Sequence, residues 1–318
     1  MTTRDPEASS AAVRAKLLER VGARATRGAA APTAIDRRFV MENVRFERWG
    51  IGGPRGDIPA WFLVPEGATA PLPCVIALHP HGRQFELGKS LVAGLVGDGT
   101  RAYGLAAAHA GFAVLAPDML GFEDHRPPLA ARKGNYALQG EGYERLLAAE
   151  ALVRGESLQG WMLAELSQCA DALENEPRVD RSRLALLGQS YGGQQSLFGM
   201  VADPRFRAAI VSCGFSLVRL LIERRISHNL ALYVPALLPD LDFDALVPAV
   251  APRPLTVIAG RRDAIFPVEG VELIEENARR AWNAAGVPDA VRFQYFDGGH
   301  DLPSDLLADA LAWLGRVL

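Results

Sequence analysis

A chain of 318 residues, 49% hydrophobic and 22% charged, has enough apolar content for a sizeable core and falls among globular proteins. Its formal net charge of −3 and pI near 6.1 remove the electrostatic case for a nucleic-acid partner or an acidic membrane surface. Cys74, Cys169 and Cys213 are widely spaced and form no C-x-x-C pair, so they imply neither a disulfide framework nor a zinc site. No run reaches the ~18 apolar residues of a membrane span. The Ala- and Arg-rich segment from Met1 to Asp36 lacks the continuous apolar stretch of a signal peptide. The expectation is a cytoplasmic protein with no membrane partner.

In chain order, Ala11 to Val21 reads as a short amphipathic helix with Val13, Leu17, Leu18 and Val21 on one side. Residues 1–36 are expected to form a helical and flexible extension, with Gly28 to Thr33 as a linker; the helix has either its own domain or a second copy to pack on, which leaves a homo-oligomer open. A first strand is expected over Arg38 to Trp49. The Gly52 to Asp57 cluster then turns the chain into a second strand, Ile58 to Val64, giving an antiparallel hairpin at a sheet edge. Pro73 to Leu78 is continuously apolar, as for a strand covered on both faces. A helix over Arg101 to Ala110 and a strand over Phe112 to Leu115 follow. The alternation resumes with helix Leu158 to Leu173, strand Leu184 to Leu187, helix Gln194 to Met200 and strand Phe206 to Val211. Strand Leu255 to Ala259, helix Val268 to Ala285, strand Val291 to Phe296 and helix Ser304 to Leu318 complete it. The pattern predicts an α/β fold for residues 37–318: one doubly wound, mostly parallel sheet behind an N-terminal antiparallel hairpin. Two stretches, about 122–155 and 215–250, are too long for ordinary βα connections and are expected as helical or loop insertions over a site.

Between the strand ending at Leu187 and the next helix lies Gly188-Gln189-Ser190-Tyr191-Gly192-Gly193, a G-x-S-x-G turn of the kind that presents a nucleophilic serine. Serine is a weak nucleophile at neutral pH and needs a base and an orienting acid. Asp263 directly follows the strand Leu255 to Ala259, and His300 directly follows Val291 to Phe296; parallel strands bring such ends to one sheet edge. Among the histidines, only His300 has this order and context: His79 and His81 precede the serine, His109 falls in a helix, and His125 and His228 lie in the insertions. Asp297 and Asp301 flank His300 too closely to reach the correct side of its ring, and Asp118 has a structural role as its first reading. Ser190, Asp263 and His300 are therefore the expected catalytic residues. The oxyanion they generate needs two N–H donors. Tyr191, immediately after the serine, is one. Pro80 has no N–H, so His81 is the first choice for the second and Gly82 the alternative. Metal binding by His79 and His81 is disfavoured, because no carboxylate or cysteine accompanies them at a ligand spacing.

With these pieces placed, the chain resembles the α/β-hydrolase superfamily, and within it the dienelactone-hydrolase-like and acetylxylan-esterase-like serine esterases. The matching stretches are H-P-H-G at His79, A-P-D at Ala116, G-Q-S-Y-G-G at Gly188, A-P-R-P-L at Ala251, G-R-R-D-A-I-F-P at Gly260 and F-D-G-G-H at Phe296. The resemblance implies an α/β-hydrolase fold with Ser190 as nucleophile, Asp263 as acid and His300 as base. Dienelactone hydrolases proper carry cysteine at the nucleophile, so their lactone substrate does not transfer. The leading expectation is an enzyme that cleaves a small-molecule carboxylic ester through an acyl-enzyme, with no metal or organic cofactor. The alternatives are acyl transfer, thioester or amide and peptide cleavage with the same residues, and a non-catalytic ligand-binding protein on the same scaffold. Arg83, His228 and Tyr233 are candidate substrate contacts; Phe122, Tyr136, Tyr143, Trp161 and Phe215 line a pocket or pack the core.

Overall fold

The computed structural model describes residues 6–22 and 32–318. Helix α1 (Pro6–Val21) lies against its own domain: Leu17 and Val21 are fully buried, and Arg14 Nε donates to the Ala202 carbonyl at 2.7 Å. The linker expected over Gly28 to Thr33 lies outside the described residues up to residue 31, and its last two positions open β1 (Pro32–Met41).

The single strand expected over Arg38 to Trp49 is two strands. β1 and β2 (Val44–Gly53) pair antiparallel with Met41 opposite Val44, and Glu42 and Asn43 make the turn with φ of 49° and 61°. Two consecutive positive φ values match the twist of a tight hairpin, and Asn tolerates that region better than most residues. Phe39 and Met41 alternate with one parity and Val44 and Phe46 with the other; that one-residue shift marks the turn, and the pairing brings Met41 and Val44 onto the same face. β3 (Gly56–Pro65) then pairs with β2, so the leading unit is a three-stranded antiparallel meander.

The remaining elements are β4 (Leu72–Leu78), α2 (Lys89–Val92), α3 (Tyr103–His109), β5 (Ala113–Pro117), α4 (Leu129–Arg132), α5 (Gly140–Val153), α6 (Leu158–Glu174) and β6 (Val179–Gln189). After these come α7 (Tyr191–Ala202), β7 (Phe206–Ser212), α8 (Val218–Glu223), α9 (Phe243–Leu246), β8 (Leu255–Gly260), α10 (Val268–Ala284), β9 (Val291–Phe296) and α11 (Ser304–Val317). Among the described residues, one nine-stranded sheet has the order β1-β2-β3-β5-β4-β6-β7-β8-β9, and every pair from β5 to β9 is parallel.

Alternate strand residues serve opposite faces. Cys74, Ile76 and Leu78 of β4 and Leu184 and Leu186 of β6 join α1, α6, α7 and α10 in one core, which includes Leu17, Leu166, Leu197 and Ile274. Val75, Ala77, Ala185 and Leu187 point the other way into a second core with α2, α3 and α11, around Val92, Tyr103, Leu311 and Leu314. Burial on both faces is why these strands read as continuous apolar runs; each fully buried aliphatic or aromatic side chain contributes about 1.5–3 kcal/mol. A third cluster, with Phe85, Phe122, Leu147, Trp161, Tyr191 and Ala231, sits beneath the insertions. Among the described residues no helix is long and apolar enough to cross a membrane.

The chain leaves β4 for β5 on one side and returns to β6 on the other. The order reverses between β4 and β6, which is where ligands bind in open parallel sheets, beyond the carboxyl ends of the strands.

Candidate active site

Ser190 stands between the last residue of β6 and the first of α7, with φ 59° and ψ −119°. A non-glycine residue at positive φ is strained, and the surrounding structure must hold it there. Its N–H donates to the Ser212 carbonyl at 2.8 Å and its carbonyl accepts from Gln194 N–H at 2.9 Å. The two flanking glycines allow the close approach. A Cβ on Gly188 would lie 2.1 Å from the Gly192 carbonyl carbon, and one on Gly192 would lie 1.7 Å from the Leu78 oxygen. No side chain fits either position.

The loops after β8 and β9 are tied by backbone hydrogen bonds, Arg261 N–H to the Phe296 carbonyl at 2.9 Å and Arg262 N–H to the Gly298 carbonyl at 2.8 Å. They deliver Asp263 and His300 beside Ser190. His300 Nδ1 lies 2.8 Å from Asp263 Oδ2, and His300 Nε2 lies 2.7 Å from Ser190 Oγ. An ionised carboxylate only accepts, so Nδ1–H donates to Asp263 and Nε2 is left to accept the serine hydroxyl proton. Asp263 Oδ1 accepts from the N–H groups of Ile265 at 2.8 Å and Phe266 at 3.0 Å. Burial pushes the Asp263 carboxyl up, but the His300 hydrogen bond and charge, with those two N–H groups, outweigh it and hold the carboxyl below its ordinary value. The buried Cys213 thiol lies behind the site and donates to the Asp301 carbonyl at 3.4 Å.

Across the switch point, the loop after β4 faces the serine. His79 is fully buried: its Nδ1–H donates to the Pro80 carbonyl at 3.0 Å, and its Nε2 accepts from Met119 N–H at 3.0 Å. Burial lowers its pKa to about 4. The His81 ring is caged by Phe85, Phe122 and Tyr191, with ring centroids 5.0, 5.1 and 5.7 Å away. Tyr191, as the first residue of α7, has an N–H with no intrahelical acceptor.

An open cleft of about 390 Å³ joins these parts; Ser190, Gln189, His300, Pro80, His81 and Gly82 form its floor, and Glu144, Leu230, His228, Ile265 and Phe266 its walls. Of the candidate substrate contacts, Arg83 lines the cleft but is exposed and paired with Glu141 at 3.3 Å. His228 lines it too, with Nε2–H donating to the Ile265 carbonyl at 3.0 Å and its ring 4.3 Å from that of Phe266; burial lowers its pKa. Tyr233 is not in the cleft wall. Its hydroxyl accepts from His228 N–H at 3.0 Å, so it supports the wall from behind. Phe122, Trp161 and Phe215 are core residues, and Tyr136 is exposed.

Three features of the site were not picked out from the sequence. Arg101, expected inside a helix, precedes α3 and lines the cleft. Glu144, in the first insertion, is buried there. Gln159, Gln194, Gln195 and Asn229 form an amide network joining α6, α7 and the second insertion, including Asn229 Nδ2 to Gln194 Oε1 at 2.9 Å. Glutamines and one glutamate inside helical runs have no spacing signature that marks them.

Among the described residues, two sets of ligand-type atoms come within 4.8 Å of one another. In Cys213, Asp263 and His300, both imidazole nitrogens are already engaged, and burial raises the thiol to about 12, which opposes a thiolate ligand. In Asp118, Glu123 and Asp124, the carboxylates surround Lys89 Nζ at 2.9, 2.5 and 2.8 Å, and the buried ammonium takes the place a cation would hold.

This is the α/β-hydrolase fold. A family model, the prolyl oligopeptidase family, matches residues 155–226, the segment from α6 through the serine turn to α8. Over 263 residues the chain is 27% identical to the Bacillus subtilis (strain 168) protein named "Putative hydrolase YtaP", covering 82% of this chain and 83% of that one. Among solved structures, one described as a putative acetyl xylan esterase of Bacteroides fragilis NCTC 9343 superposes with a TM-score of 0.75 at 16% identity, covering 98% of this chain and 89% of the other. A glucuronoyl esterase of Solibacter usitatus gives 0.67 at 17% identity, covering 99% and 92%.

Proposed function

We propose that the protein is a hydrolase of carboxylic esters that works through an acyl-enzyme, with Ser190, His300 and Asp263 as its catalytic residues. The observation that carries this reading is the continuous chain from Ser190 Oγ to His300 Nε2 at 2.7 Å and from His300 Nδ1 to Asp263 at 2.8 Å, at the floor of an open cleft. Ser190 Oγ attacks the ester carbonyl while its proton passes to His300 Nε2; Asp263 holds the tautomer and stabilises the imidazolium. The N–H groups of Tyr191 and His81 receive the oxyanion. The tetrahedral adduct collapses, His300 returns the proton to the leaving alkoxide, and the alcohol departs. Water then gives its proton to His300 and attacks the acyl carbonyl, and collapse releases the acid and restores Ser190. No step calls for a metal or organic cofactor.

Likeness over nearly the whole chain to proteins described as esterases favours the ester class. The prolyl oligopeptidase match favours a second reading, amide or peptide cleavage by the same residues, but it extends only over the segment around the serine. The test is a panel of p-nitrophenyl esters and peptide p-nitroanilides, with fluorophosphonate labelling. Ser190→Ala is expected to abolish both labelling and ester turnover; labelling that survives it would sink the assignment, and turnover confined to the anilides would replace ester by amide.

A further inference from the structure

Glu144 lies on α5, in the first insertion, and is 9% exposed. Each carboxylate oxygen serves a different segment. Oε2 faces His81 Nε2 at 3.2 Å, and Oε1 accepts from Leu230 N–H at 2.9 Å. His81 Nδ1 accepts from Arg83 N–H at 3.2 Å, so the imidazole proton must sit on Nε2, where it donates to Glu144. His81, Glu144 and Leu230 all line the cleft that holds Ser190. One carboxylate therefore fastens together the loop opposite the nucleophile, the first insertion and the second. Leu230 is held from the other side as well, because Asn229 is bonded to Gln194 on the helix that follows Ser190.

We infer that Glu144 is a positioning residue: resting on the ester-hydrolase reading, it holds the His81 ring so that the His81 backbone N–H meets the oxyanion, and it holds Leu230 so that the substrate wall stands over Ser190. The two roles separate kinetically. Oxyanion donors act on the transition state and are read in kcat, whereas a wall that binds substrate and transition state alike is read in KM. A displacement of about 1 Å in a positioned group costs on the order of 10²-fold in rate. An amide at this position has one accepting and one donating end for two donors. Glutamine therefore satisfies only one of them, because the other His81 tautomer would set Nδ1–H against Arg83 N–H.

The experiment measures kcat, KM and thermal midpoint with p-nitrophenyl acetate, and the inhibition constant of a trifluoromethyl ketone, whose tetrahedral adduct places an oxyanion in the site. The variants are Glu144→Ala, Glu144→Gln, His81→Ala and the His81→Ala/Glu144→Ala pair, with Glu150→Ala on the exposed side of α5 as control. Expected are a kcat loss of about 100-fold for Glu144→Ala and about 10-fold for Glu144→Gln, with ketone affinity falling in step with kcat. In the His81→Ala background, where the backbone N–H remains, the same glutamate change is expected to lower kcat by less than about threefold while still raising KM. Additive kcat losses, or unchanged ketone affinity in Glu144→Gln, overturn the proposal. If Glu144→Ala does not fold, the isosteric glutamine variant and its pairing with His81→Ala decide. Ester turnover that survives Ser190→Ala defeats the underlying reading instead, and the two failures are told apart by that variant alone.

Discussion

The two sides of the cleft are built differently. On the side of Ser190, Asp263 and His300, positions follow from strand ends and backbone: a serine at φ 59°, glycines that admit no Cβ, and carbonyl-to-amide bonds between the loops after β8 and β9. On the other side, the wall is held by side chains that come together from distant segments, with Glu144 meeting His81 and Leu230, the four-amide network, and Lys89 inside its three carboxylates. The first side leaves little freedom to vary, because its geometry is part of the sheet. The second depends on contacts between segments far apart in sequence, outside the sheet, where loops carry binding residues on a scaffold that does not itself dictate them.

The largest expected effect separates chemistry from construction. Asp263→Asn should lower kcat by about 10⁴-fold, as loss of the tautomer-setting carboxylate does in serine triads, while leaving the wall intact; a loss below tenfold in a steady-state ester assay would show that Asp263 is not the orienting acid. Lys89→Met strikes the other side. It leaves Asp118 and Glu123 around a missing buried charge, and denaturant unfolding should report a destabilisation of about 3–5 kcal/mol. A change under 1 kcal/mol would mean that the base of the first insertion does not depend on this ammonium.

The smallest effect tests the junction between the two sides. His79 titrates near 4 in the folded chain against 6.5 ordinarily, so between those values the unfolded state binds more protons and stability falls as the pH drops. The loss accumulates to roughly 3 kcal/mol by about pH 4. His79→Gln, which can still accept from Met119 N–H and donate to the Pro80 carbonyl, should lack that part of the acid slope in unfolding free energies measured from pH 7 to 4. Parallel slopes for the two proteins would contradict the assignment.

Much of the first side was legible in the sequence, because each of its residues has a local signature. Ser190 sits between glycines after an apolar run, and Asp263 and His300 each begin the loop after a strand of the parallel series. The turn at Glu42-Asn43 is less plain, because apolar residues lie close on both sides of it and its only mark is the one-residue change of parity between Met41 and Val44. Arg83 and Tyr233 illustrate the limit for binding residues. Charge and aromaticity suggested both; Arg83 lines the cleft in an exposed pair with Glu141, whereas Tyr233 lies outside the lining and supports His228.

The sequence by itself determined the six strands of the parallel series, β4 to β9, and the three residues that their ends bring together, because apolar periodicity and glycine placement act over a few residues at a time. Only the tertiary structure decided that Glu144, in a helix of the first insertion, meets His81 and Leu230, that Lys89 fills a ring of carboxylates, and that Arg101 opens onto the cleft. Those contacts join residues up to 86 positions apart. A polar side chain carries no mark of its distant partner until the chain has folded to put them within reach.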